Sequence, residues 1–64
     1  MAEPVVIAVL GAAGRVGRLL VQHILASEDL SLAAAVGRDD SPVAYEDAGR
    51  IAGAGFAGVP IGVL

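Results

Sequence analysis

The sequence predicts an α/β fold, an incomplete Rossmann-like, doubly wound parallel sheet built on one βαβ unit, with room for a third strand. Three observations lead to it. Residues 5–10 are an apolar run without polar alternation, residues 15–26 follow with helical periodicity after a glycine-spaced turn, and residues 30–36 form a second apolar run. Strand, helix and strand within about 30 residues is the mark of a βαβ unit. Its strands are expected to be parallel and its crossover right-handed.

The first run, Val5-Val6-Ile7-Ala8-Val9-Leu10, is β-branched at four of six positions and is closed by Gly11. Such a run suits a strand covered on both faces. From Arg15 to about Ala26 the spacing predicts a helix. It groups Val16, Leu19, Leu20, His23, Ile24 and Ser27 on one side and Arg15, Arg18 and Gln22 on the other. Ser27-Glu28-Asp29 is a polar break, and Leu30 opens the second strand, which Gly37 closes. Residues 38–42 read as a polar loop. Residues 43–52 can hold a short helix with Asp47 and Arg50 outward and Ala48 and Ile51 inward, although Gly49 weakens it. Residues 53–58 are expected to be flexible. Residues 59–64 suit a third strand, with Pro60 at its start or edge.

Composition narrows the function classes. The chain has 64 residues, of which 56% are hydrophobic, with no Cys, one Tyr and one Phe. Its mean hydropathy is +0.77. A domain of this size buries only ~60% of its unfolded surface, and here no disulfide or aromatic cluster helps it. The apolar excess predicts a piece of a larger protein: the N-terminal part of a dinucleotide-binding domain over residues 1–64, with the substrate-binding domain absent from the chain.

A net charge of −3, with four Arg and no Lys, offers no basic stripe for a phosphate backbone, which argues against a nucleic-acid partner. The lack of Cys removes thiol catalysis and zinc ribbons, and no metal site is expected. The amino terminus carries Glu3, and the apolar run after Pro4 is too short for a secretion signal. The uncharged stretch at residues 51–64 falls short of the ~20 residues a bilayer requires. A cytoplasmic protein without a membrane partner is therefore expected.

The chemistry lies in Gly11-Ala12-Ala13-Gly14-Arg15-Val16-Gly17. Gly11 is expected to take a strained backbone conformation at the strand end. Gly14, lacking a side chain, lets a pyrophosphate approach the backbone, and Gly17 lets the helix pack closely on the strand. Free N–H groups and the helix dipole favour an anion at that point. The spacing is a variant of the dinucleotide fingerprint, with Ala13 where Gly is commoner. A P-loop is excluded, because its Lys and Ser/Thr are absent.

About 20 residues on, where Asp or Glu would hold the ribose hydroxyls of NAD, the chain has Gly37 followed by Arg38. A guanidinium there can fork onto a 2′-phosphate, which favours NADPH as cofactor over NADH. Two other readings stand beside it: Arg38 as a solvated charge paired with Asp39 or Asp40, and Asp39 reaching the ribose to restore NADH use. Arg15 suits either a cofactor phosphate or solvent, while Arg18 is expected in solvent. His23 has no partner at ligand spacing. Glu46 and Asp47 are adjacent and so do not form an acid/base pair across a cleft, and their plain reading is a solvated helix start or loop. Tyr45 lacks a Lys four residues on, where Gly49 stands, so no catalytic set is present.

Val9-Leu10-Gly11-Ala12-Ala13-Gly14-Arg15-Val16-Gly17-Arg18 resembles the opening of the 4-hydroxy-tetrahydrodipicolinate reductases, also called dihydrodipicolinate reductases. That family shows a Gly-x-x-Gly-Arg-Met-Gly-Arg turn, with Val16 here in place of Met. The likeness continues through residues 30–36, Asp47-Ala48-Gly49 and residues 53–59. The resemblance implies a two-domain oxidoreductase of lysine and diaminopimelate biosynthesis, homo-oligomeric at full length, acting on a small cyclic substrate with NADH or NADPH. It makes Gly11, Ala12, Ala13, Gly14, Arg15 and Val16 cofactor contacts, to which the charge argument adds Arg38. Gly37 departs from the family's acid at that position. The family's downstream His-His and Lys segment is not in this sequence. Alternatives from other classes are an atypical short-chain dehydrogenase or NmrA-like NADP-binding protein, and a non-catalytic fragment.

Overall fold

The computed structural model describes residues 3–63. The element order is β1 (Val5–Leu10), α1 (Arg15–Ala26), β2 (Leu30–Gly37), α2 (Ala48–Ile51) and β3 (Ile61–Val63). The three strands form one parallel sheet in the order β1-β2-β3. The predicted βαβ unit is present, with β1 and α1 at the expected limits and β2 running one residue further, through Gly37. The third strand is there but starts at Ile61, so Val59 and Pro60 lie before it. Leu64, expected in that strand, lies outside the described residues.

The registry between β1 and β2 slips after Ile7. Ile7 faces Leu32, but Ala8 faces Ala34, leaving Ala33 as the extra residue. In a strand, alternate side chains share a face, and one inserted residue reverses the parity. The bulge therefore lets Leu32 and Ala35, three apart, both point into the core. That core gathers Val9 of β1, Val21 and Ile24 of α1, Ala48 of α2 and Ile61 of β3.

Two expectations are corrected. The helices cover one face of β1 only, so Val6 and Leu10 are 68% and 74% exposed among the described residues. An uninterrupted apolar run does not record whether a second layer is present. The buried stripe of α1 is Gly17, Val21 and Ile24, while Val16, Leu19 and His23 are exposed. Side-chain size misled the periodicity here. Gly17 has no hydrophobic bulk to weigh, yet it sits where helix and strand come closest. Gln22, grouped on the polar side of the helix, donates from Nε2 to the Ala52 carbonyl and ties α1 to the end of α2.

The segment before β3 is antiparallel to its approach. Tyr45 N–H donates to the Ile61 carbonyl at 2.8 Å, Ile61 N–H to the Glu46 carbonyl at 2.8 Å, and Ala48 N–H to the Val59 carbonyl at 2.8 Å. This pairing limits the helix expected within residues 43–52 to Ala48–Ile51. It also holds Tyr45 at φ 68°, a left-handed conformation rare outside glycine.

Candidate functional site: the glycine turn and its cleft

Gly11 ends β1 with φ 72°, as the strand-to-turn reversal requires. Its N–H and that of Ala12 both donate to the Val36 carbonyl, at 2.7 and 3.1 Å, which ties the turn to the end of β2. Gly14 N–H donates to the Gly11 carbonyl at 3.0 Å, and Gly14 then stands as the N-cap of α1 with no side-chain cap. Arg18 closes the turn from the helix side. Its N–H donates to the Gly14 carbonyl at 2.9 Å and its Nε to the Ala13 carbonyl at 2.8 Å. The N–H groups of Ala13, Arg15, Val16 and Gly17 have no acceptor among the described residues. They are the donors that a helix start leaves open, beside the positive end of its dipole.

The three glycines answer different demands. A Cβ on Gly17 would lie 2.0 Å from the Gly11 carbonyl oxygen, so close packing of α1 on the turn requires Gly there. Gly11 has open space around it and is demanded by its backbone angle alone. Gly14 has φ −79° and ψ 173°, which any residue adopts, and its Cβ would meet only the Gly11 oxygen, at an ordinary 3.4 Å. Among the described residues, no backbone angle or contact requires glycine at residue 14. Its missing side chain leaves space in a cleft of about 370 Å³ lined by Gly11, Ala13, Gly14, Arg38, Asp40 and Ser41, among others.

That cleft brings together four of the residues singled out from the sequence: Gly11, Ala13, Gly14 and Arg38. Ala12 lies in the core, 2% exposed, with its N–H already bonded. Arg15 and Val16 are exposed at the helix start, outside the cleft lining but with their N–H groups open. Arg38 pairs with Asp40 rather than Asp39, with Nε 3.4 Å from Oδ1, both side chains largely in solvent. A Cβ on Gly37 would come within 3.0 Å of Ile61 Cγ2. An acid at that strand end would therefore press on Ile61, which gives a packing reason for its absence.

A second organising residue escaped the sequence reading. Asp47 was expected as a solvated helix start; instead its carboxylate collects four backbone donors. Oδ2 accepts from Arg50 N–H at 3.1 Å and Ala57 N–H at 2.8 Å. Oδ1 accepts from Gly58 N–H at 2.8 Å and Val59 N–H at 3.0 Å. Partial desolvation pushes this carboxyl up, but the four N–H groups outweigh it and hold it below its ordinary value of 3.8. The loop at residues 53–58, expected to be flexible, is thereby tied down. Gly49 completes the arrangement, since a Cβ there would lie 2.1 Å from the Gly55 carbonyl oxygen. Asp47 as an N-cap, one of the favoured residue types, was the available signal; its contacts ten to twelve residues on were not.

No helix among the described residues is long and apolar enough to cross a membrane. Comparison with known proteins bears on the family. The chain is 51% identical over 53 residues to a protein named 4-hydroxy-tetrahydrodipicolinate reductase from Rhizobium rhizogenes (strain K84 / ATCC BAA-868). The matched part is 83% of this chain and 19% of the relative, so the chain spans about a fifth of that protein's length. The family model described as "Dihydrodipicolinate reductase, N-terminus" matches residues 5–63, taking in the glycine turn, the βαβ unit, Asp47-Ala48-Gly49 and β3. The chain thus belongs to the family of dihydrodipicolinate reductase N-terminal segments.

Proposed function

We propose that the chain is the dinucleotide-holding segment of a cytoplasmic 4-hydroxy-tetrahydrodipicolinate reductase, with NADPH preferred and NADH accepted. The observation that carries this reading is Gly14. No packing or backbone angle among the described residues calls for glycine there, yet it lies beside open N–H groups and on the cleft that reaches Arg38. A pyrophosphate fits this cradle, because unpaired N–H groups at a helix start are anion donors. Ala13, Arg15 and Val16 would offer their N–H groups to it, with Gly11 and Gly14 leaving room for its approach. Gly17 keeps the helix start close to the strand end, and Ala12 contributes by packing beneath the turn. Arg38 would face the adenosine end and fork onto a 2′-phosphate after exchanging its exposed partner Asp40.

Bound there, the dinucleotide supplies a hydride for reducing the substrate. Residues 1–64 would be the N-terminal part of the nucleotide-binding domain, with substrate and proton-donating groups brought by another domain. Titration with NADPH and NADH, followed calorimetrically, tests the reading. Saturable binding of both is expected, and binding of neither would overturn it. Arg38→Ala is expected to weaken NADPH about tenfold, the scale of one charge-assisted hydrogen bond, and NADH by much less. Equal losses would defeat the 2′-phosphate assignment.

A further inference from the structure

Arg18, expected in solvent, has a role that its exposure conceals. We infer that Arg18 is the positioning residue of the glycine turn: it draws the carbonyls of Ala13 and Gly14 to the helix side, so that the open N–H groups face the anion. This inference rests on the dinucleotide reading above.

Each peptide unit carries its N–H and C=O on opposite sides. In the unit joining Ala13 to Gly14, both ends are engaged. The carbonyl accepts from Arg18 Nε at 2.8 Å and the N–H donates to the Gly11 carbonyl at 3.0 Å. In the next unit the Gly14 carbonyl accepts from Arg18 N–H at 2.9 Å, while the Arg15 N–H remains open. Arg18 thus uses main chain and side chain on two successive carbonyls. Left unbonded, the Ala13 carbonyl could swing toward the cleft and set an acceptor against a phosphate. The Gly14 N–H bond to the Gly11 carbonyl holds one end of that unit, and Arg18 Nε holds the other.

The Nε bond spans five residues and is made by a planar guanidinium whose outer nitrogens have no partner among the described residues. The pyrophosphate is common to both dinucleotides, so Arg18 serves NADPH and NADH alike. A restraint on a neutral carbonyl is also insensitive to ionic strength, whereas a through-space charge is screened.

The experiment is Arg18→Ala titrated with NADPH and NADH at low and high salt, beside amide exchange without cofactor. Both dinucleotides are expected to weaken by about fivefold, the loss of one hydrogen bond, with their affinity ratio unchanged and the loss persisting at high salt. Exchange at Gly14 is expected to quicken while Val21 and Ile24 keep their protection. Unchanged affinity, a loss confined to NADPH, or a loss that disappears at high salt would overturn the inference. So would slow exchange at Gly14 in the variant. If helix exchange quickened throughout, Arg18 would be a residue of global stability and the positioning role would fall. Failure of the unsubstituted chain to bind either dinucleotide would overturn the functional reading instead.

Discussion

Two glycine-rich loops in this chain differ in where their amide groups are directed. In the turn at residues 11–17, Ala13, Arg15, Val16 and Gly17 keep their N–H groups without acceptors among the described residues. In the loop at residues 53–59, Ala57, Gly58 and Val59 direct theirs onto one carboxylate, that of Asp47. Both loops pass close to a helix start, and both need one glycine for that approach: Gly17 beneath the first and Gly49 beneath the second. The second loop carries its own anion and is closed. The first leaves its donors unengaged among the described residues, and under the proposed function a phosphate would take them. Glycine content alone does not separate the two loops; the number of unengaged donors does.

The largest effect expected from breaking this comparison is at Gly17. Helix propensity by itself would favour Gly17→Ala by about 1 kcal/mol. The added Cβ meets Gly11 backbone at 2.0 Å, which no side-chain rotation relieves. A net loss above about 3 kcal/mol is expected, enough to unfold much of so small a chain. Circular dichroism with urea titration measures it, and stability equal to the unsubstituted chain would refute the close packing.

Next comes Asp47→Asn, which leaves an amide oxygen and an unwanted donor where two carboxylate oxygens served four N–H groups. Lower thermal stability is expected, with faster amide exchange at Ala57, Gly58 and Val59. The pH dependence sharpens this. A carboxyl held below 3.8 when folded contributes stability that is present above that value and is lost as pH falls through the folded-state value. The Asn variant should lack that component of acid unfolding, and identical acid profiles would reject the assignment.

The smallest structural effect, and the most telling functional one, is expected for Gly14→Ala. Its Cβ finds ordinary contact distance among the described residues, so only the N-cap preference for Gly over Ala is lost and stability should fall by no more than about 1 kcal/mol. Dinucleotide affinity should nevertheless fall by at least about tenfold, because the methyl group occupies the space a phosphate approaches. Gly14→Asp should abolish binding of either dinucleotide. Retained affinity in both variants would mean that the turn does not cradle the phosphates.

Local pattern alone determined much of this protein: the limits of β1 and α1, the parallel βαβ unit, and a glycine-spaced turn between strand and helix. Those features depend on neighbours within a few residues, where periodicity, β-branching and glycine spacing act directly. The family likeness was also legible, because it rests on short contiguous motifs, and the family match over residues 5–63 bears it out. Only the tertiary structure decided which face of α1 is buried, since the answer lies in how near Gly17 approaches Gly11. It likewise placed the bulge that lets Leu32 and Ala35 share the core. It turned Asp47 from a solvated acid into the anchor of a loop ten residues away, and Arg18 from a surface charge into a bond on the turn. Each depends on a backbone group brought near by folding, and a linear pattern carries no record of where a distant N–H or C=O will point.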